Sequence, residues 1–197
     1  MNKLISTLLI SCIFLFSTKG QIIINEYSGA NYDTYTDNYG EYEDWVELYN
    51  PTSTSIDING WYLSDKVNNP TKWMIPSSFI VPANGTAIIY CSGRDEVSGV
   101  FAHTNFKITQ TKGGEVFCLS DASASMIDSI TVSPAQKSHS RGRDLNGGSI
   151  WGVYTIPTPN ANNTAAMLEY TDPPVFSQTS GYYSAPFDLS LSSPVPL

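Results

Sequence analysis

Hydrophobic and polar residues alternate in short runs along this chain, most clearly between Asp44 and Asp65. In Trp45-Val46-Glu47-Leu48-Tyr49 the side chains of Val46 and Leu48 fall on one face and those of Trp45, Glu47 and Tyr49 on the other. That two-residue period is the mark of a half-buried strand. Asn50-Pro51 ends it, because proline has no amide hydrogen for a ladder and holds the preceding residue extended. Ile56 and Ile58 resume the pattern, Asn59-Gly60 breaks it, and Trp61 and Leu63 carry it to a polar stop at Ser64-Asp65. Large indoles at such positions are expected to anchor a sheet packed on a second sheet. Trp45, Val46, Leu48, Trp61, Leu63 and Trp73 are therefore the expected structural residues.

The same reading places a central strand over Gln21–Tyr27, with Ile22 and Ile24 on one face, and a long loop over Asn31–Glu43. Short strands follow at Trp73–Ile75 and Phe79–Pro82, and a longer one at Thr86–Cys91 after the turn Ala83-Asn84-Gly85. Phe101–Ile108 and Glu115–Leu119 flank Lys112-Gly113-Gly114, which reads as a hairpin connection. Ser125–Val132 and Ile150–Ile156 complete the set. No segment sustains a helical period, so the pattern predicts an all-β sandwich.

Ile23-Ile24-Asn25-Glu26, Asp44-Trp45-Val46-Glu47-Leu48-Tyr49-Asn50, Gly60-Trp61-Tyr62-Leu63-Ser64-Asp65 and Lys72-Trp73-Met74-Ile75-Pro76 stand in that order along the chain. With His103-Thr104-Asn105-Phe106, Ser140-Arg141-Gly142-Arg143 and Thr158-Pro159-Asn160, they resemble the signature of a bacterial lamin-tail domain over about residues 21–165. The resemblance implies an immunoglobulin-like β-sandwich and no catalytic residues. Beyond it, Asp172-Pro173-Pro174 reads as a stiff linker, since paired prolines favour an extended backbone. Val175-Phe176-Ser177 and the run Ser180–Leu191 resemble the opening of a chitobiase or hexosaminidase C-terminal type β-module. A fragment that short buries no core of its own, so Leu197 is expected to be a cut. The expected division is a leader over 1–20, a sandwich over 21–168, a linker over 169–174 and the truncated start of a second β-module over 175–197.

The leader is read from Met1-Asn2-Lys3, the apolar run Leu4–Phe16 and the polar exit Ser17-Thr18-Lys19-Gly20, which together form a cleavable signal peptide. The run is too short to span a bilayer comfortably, and no second one follows, so no transmembrane segment is expected. A competing detail is Leu9-Ile10-Ser11-Cys12, which resembles a lipoprotein box, although apolar Ile13–Phe16 stand where a mature lipoprotein would begin polar.

Cleavage would remove Lys3 and Lys19 and no acid. The 10 basic and 18 acidic residues become 8 and 18, a net charge of about −10. Such a surface repels a phosphate backbone, which excludes nucleic acid as an expected partner. Two cysteines would remain, Cys91 and Cys118, both in expected strands. In an exported protein they form either a bridge or two buried thiols, and spacing alone does not decide between them.

The richest candidate chemistry lies in the loop, where Asp33, Asp37, Glu41, Glu43 and Asp44 alternate with Tyr32, Tyr35, Tyr39 and Tyr42. Asp33, Asp37, Glu41 and Asp44 are candidate calcium ligands, since calcium takes six to eight oxygens. The spacing is not that of an EF-hand, and a solvated acidic loop is the plainer reading. The tyrosines suit saccharide rings or, more plainly, cover the sandwich edge.

His103 and His139 stand far apart with no paired cysteines, which argues against zinc. There is no Gly-x-Ser-x-Gly elbow and no phosphate loop. Arg141 and Arg143 are expected in structural ion pairs, and Glu26, Glu47 and Asp65 as hydrogen-bonders to turn amides.

The function expected is a secreted, non-catalytic β-sandwich module of a larger extracellular or cell-surface protein. It would serve adhesion, display or substrate targeting, with polysaccharide or a cell-surface protein as partner and no obligatory cofactor. The alternative is the accessory N-terminal domain of an extracellular enzyme (kinase-like spore-coat type, nuclease or glycoside hydrolase) whose catalytic domain lies beyond Leu197.

Overall fold

A computed structural model describes residues 22–109 and 114–193, and every regular element among them is a strand. The leader and the Lys112-Gly113 part of the expected hairpin lie outside the described residues. In chain order the strands are β1 (Ile23–Ser28), β2 (Trp45–Tyr49), β3 (Ile56–Asp57), β4 (Tyr62–Ser64) and β5 (Trp73–Met74). They continue with β6 (Ile80–Val81), β7 (Thr86–Tyr90), β8 (Glu96–Ser98), β9 (Phe101–His103) and β10 (Val116–Ser120). The last five are β11 (Met126–Thr131), β12 (Ser140–Arg143), β13 (Trp151–Tyr154), β14 (Val175–Phe176) and β15 (Leu191–Ser192).

Seven of them form one sheet in the order β13-β12-β1-β2-β7-β9-β8, and four form a second in the order β11-β10-β4-β5. Neighbours run antiparallel except β7 and β9, which are parallel. The two sheets close over one apolar interior. Ile22, Ile24, Val46, Leu48, Ala87 and Ile89 meet Leu63, Trp73, Phe117 and Leu119 there, with Ile58, Ile75, Phe79 and Val81 filling between. This is an immunoglobulin-like β-sandwich.

The indoles divide differently from the expectation. Trp73 is the one at the heart of the interior, fully buried, with its Nε1 donating to Asp95 Oδ1 at 2.9 Å. Trp61 is only partly buried and packs at the margin of that core. Trp45 is fully buried but lies on the opposite face of the large sheet, in a separate cluster with Ile88 and Tyr90. Alternation along β2 requires this, since Val46 and Leu48 take the inner face.

The register of β1 against β2 shifts between Ile24 and Glu26, so Asn25 is an extra residue opposite β2. The bulge reverses the alternation. Ile22 and Ile24 point into the core, and so does Tyr27, while Asn25 and Glu26 both reach the outer face.

The expected hairpin around Gly113 is instead a crossover between sheets. β9 pairs with β7 and β8, whereas β10 pairs with β4 and β11. Phe106 and Ile108 plug into the core on the way across. Cys91 and Cys118 are free and buried. Cys91 joins the interior beside the seven-stranded sheet, while Cys118 alternates with the core residues Phe117 and Leu119 in the other sheet and so faces away from it. Thiols on different sheets pointing to different sides do not bridge.

Contacts of the sandwich continue to Tyr170. Val153 bridges Met167, Arg141 pairs with Glu169 at 2.8 Å, and the His139 and Tyr170 rings stack. From Thr171 to Ser193 every residue is exposed, and β14 and β15 pair only with each other.

Candidate functional site

The outer face of the seven-stranded sheet, where alternation leads one to expect solvent, is covered by two segments. One is the loop 31–44 and the other is a strap over residues 155–170. Beneath the strap, Glu26 and Glu47 stand directly opposite each other on β1 and β2, both fully buried. Two like charges in that relation repel unless donors surround them.

The donors come from the far end of the chain. Thr158 gives its amide to Glu26 Oε1 at 2.9 Å and its hydroxyl to Oε2 at 2.6 Å, and Ser140 adds a hydroxyl at 2.5 Å. Asn160 gives its amide to Glu47 Oε2 at 2.6 Å, and Asn25 Nδ2 reaches Oε1 at 3.0 Å. Asn163 closes the network, accepting from Asn25 and donating to the Arg143 carbonyl at 2.8 Å. Gly142 leaves room for the network, since an added Cβ there would crowd Glu26 and Asn163 at 3.0 Å.

Burial raises both carboxyls, Glu47 to about 8, against the lowering pull of these hydrogen bonds. The pair is sealed from solvent and clamps the strap. Arg143 reaches Ile24 O at 2.7 Å and Asp128 at 3.1 Å, the structural role expected of it.

The loop is held by Asn31, whose amide donates to the Tyr35 carbonyl at 2.6 Å and the Glu43 carbonyl at 2.8 Å. Its carboxylates do not converge. Asp33 pairs with Lys137 at 2.9 Å and Ser138, and Asp37 Oδ1 accepts the amides of Tyr39 and Glu41 at 2.8 and 2.9 Å. Glu41 is exposed, and Asp44 accepts the Asn31 amide at 3.2 Å while burial pushes its carboxyl up to about 6. Among the described residues no three His, Cys, Asp or Glu gather to hold a metal ion. The four candidate calcium ligands are not brought together, since Asp33, Asp37 and Asp44 each hold a different amide or cation and Glu41 points to solvent.

What the loop does assemble is a row of rings. Tyr35 lies parallel to Tyr90 at 6.3 Å, Tyr90 stacks on His103 at 5.1 Å, and Tyr39 meets His103 edge-on at 5.7 Å under the Arg94 guanidinium. His103 Nε2 donates to Asn38 Oδ1 at 2.8 Å, which leaves Nδ1 to accept the Ser92 hydroxyl at 3.0 Å. Burial holds its pKa below the ordinary histidine value. Ser92 and Asp37 approach the same ring nitrogen, Nδ1, at 3.0 and 4.0 Å, while Nε2 faces Asn38, which differs from a nucleophilic triad, where serine and carboxylate sit on opposite nitrogens.

Between loop, strap and the β8–β9 turn the outer face opens into a groove of about 730 Å³. Thr86, Ile88 and Tyr90 of β7 line it together with Tyr35 and Asn160. Val100 and Phe101 come from the β8–β9 turn and β9, and Ile80 and Pro82 from β6 and the turn after it. None of the lining residues is charged.

Asn160 sits at a left-handed φ of 57°, a conformation asparagine tolerates, and its amide donates to the Tyr35 hydroxyl. The clamp on Glu47 therefore positions one rim of the groove. Of the residues singled out in the sequence, Tyr35 belongs to this site, whereas Tyr32, Tyr39 and Tyr42 do not line it. Val100 carried no sequence signal, and Ile80 and Asn160 were legible only as parts of an expected strand and of the closing motif, not as groove residues.

A family model described as Lamin Tail Domain matches residues 16–134, more than half of the chain. The matched span takes in β1 to β11 with the loop and stops short of β12, β13 and the strap. No curated protein matches the chain.

Proposed function

The chain belongs to the Lamin Tail Domain family, and from that premise we propose that it is a non-catalytic recognition module of a larger exported protein, binding through the groove on β7. The observation that carries this reading is the groove itself, an uncharged trough of ligand size on an otherwise acidic chain. The buried ionisable groups support it as well. Glu26, Glu47, Asp37 and His103 are all engaged in holding loop and strap, and none faces a cavity where a reacting atom would sit. The leader over residues 1–20 is the motive for export.

The test uses residues 21–197 as purified protein. It should turn over no glycoside, phosphoester or peptide substrate, yet be retained on cell-envelope material, with retention abolished by Val100→Asp. Sustained turnover, or retention indifferent to that change, refutes the reading.

A second reading is favoured by residues 171–193, which are exposed throughout and leave Phe176, Tyr182 and Leu191 uncovered. They would open a separate β-module of chitobiase C-terminal type, making the sandwich an accessory part of an extracellular enzyme. A chain of residues 21–170 should then melt at the same temperature as residues 21–193. A drop would assign the segment to the sandwich instead.

A further inference from the structure

We propose that the groove on β7 takes a neutral glycan, bound by ring stacking and hydroxyl hydrogen bonds without a metal ion. The proposal rests on the recognition reading above and names its ligand class.

Charge comes first. The lining contains no lysine, arginine or histidine to attract phosphate or carboxylate and no acid to hold a cation, while the chain as a whole carries a net charge of −8. Anionic polymers are repelled by the body and find no local cation, so a polymer that settles here is uncharged.

Geometry comes second. An extended peptide binds by adding to a sheet edge, which requires a row of free backbone groups. β2 pairs with β7 along its whole length, and β9 takes the other side at Ile89 and Tyr90, leaving only Thr86–Ile88, about half a usual strand. The groove runs past this short free edge, where Ala87 also lines it, onto the outer face at Ile88 and Tyr90, so a peptide would find too few backbone groups to add a strand.

The side chains come third. Sugar rings present flat C–H faces to aromatic surfaces and hydroxyls around their rims, and this groove offers both partners. Tyr35 and Phe101 are half-buried, with ring surface still open, and Tyr35 is backed by the parallel ring of Tyr90. Asn160, on the rim, spends its amide on Tyr35 and has no partner for its carbonyl oxygen among the described residues. That oxygen accepts a sugar hydroxyl. Val100, 77% exposed, forms the opposite lip.

Trp45 lies 6.4 Å from Tyr35 and reports occupancy through its fluorescence. Purified residues 21–197 are titrated with linear neutral hexasaccharides of glucose, mannose, xylose and N-acetylglucosamine. Polygalacturonate and a valine-rich peptide serve as comparisons, and each titration is repeated with EDTA. At least one neutral hexasaccharide should bind saturably and equally well with EDTA. Affinity should fall at least tenfold in Tyr35→Ala and in Val100→Asp, and stay unchanged in Tyr32→Ala. Val100→Asp alters an exposed turn and leaves the fold intact, so its result stands even if Tyr35→Ala unfolds.

Binding only of polygalacturonate, binding abolished by EDTA, or no binding of any neutral sugar overturns the proposal. If the peptide alone binds, and Val100→Asp abolishes it, the glycan class falls while the recognition reading survives. If neither sugar nor peptide responds to Val100→Asp, and envelope retention does not either, both fall together.

Discussion

From Trp45 to Leu48 along β2 the two faces of the seven-stranded sheet are buried completely and by opposite means. On the inner face, Val46 and Leu48 of β2 vanish into aliphatic and aromatic side chains. On the outer face, Trp45 and Glu47 of the same strand vanish just as completely, Glu47 under the side-chain amide of Asn25 and the backbone amide of Asn160, 113 residues away. Apolar burial is non-directional and tolerates modest repacking, whereas a buried carboxylate demands its donors one by one. The inner face therefore provides most of the stability, and the outer face fixes where strap and loop lie.

The largest expected effect tests the inner face. Trp73→Ala should cost about 3–5 kcal/mol in urea unfolding, the usual range for deleting a buried indole. A cost below that of an exposed substitution would mean that Trp73 does not anchor the core.

The next tests the outer face by pH. In the folded state Glu47 titrates near 8, Asp44 near 6, and Glu26 above its ordinary value, all because of burial. The folded chain therefore holds protons that the unfolded chain has released above about pH 4.5. Their contribution is full below that pH and drains away as pH rises towards 8. His103 works in the opposite sense, since its lowered pKa removes stability as pH falls below the ordinary histidine range. Denaturation midpoints measured from pH 5 to 9 should decline towards the alkaline side, and Glu47→Gln should flatten that decline. A rise with pH would contradict the assignment.

Smaller still is Thr158→Val, which keeps the shape and removes one hydroxyl from Glu26. It should cost about 1.5 kcal/mol and expose residues 155–165 to protease before the rest of the sandwich opens. Protection unchanged there would mean that the strap is held by something other than the clamp. Least of all, calcium, EDTA and reductant should leave the melting temperature where it is, because the described loop acids do not converge on one point and the two thiols are free. A calcium-dependent rise would restore the loop as a cation site.

How much of this was legible follows the same division. Alternation through Val46, Leu48 and Leu63 exposed the inner face, because a two-residue period is a local property of the chain. The cover on the outer face was not legible, since nothing near Glu47 shows that Asn160 comes to meet it. The single extra residue at Asn25 also defeats a period-two reading, turning Tyr27 inward. β12 shows no apolar alternation of its own, because two arginines and a glycine follow Ser140, so only the family resemblance marked it as part of the sandwich; its small outward positions fit beneath Tyr154, Asn163 and Glu26. The acidic loop misled for a related reason. Carboxylate spacing says nothing about which amides will claim each one.

The opposed glutamates set a timetable for biosynthesis. β1 and β2 leave the ribosome early, yet Glu26 and Glu47 lack their donors until Thr158, Asn160 and Asn163 have emerged as well. A nascent chain halted near residue 150 should therefore remain digestible, and protection should arrive in one step once the strap is out. For the cell this makes completion of the module an event that waits on translation of its last segment.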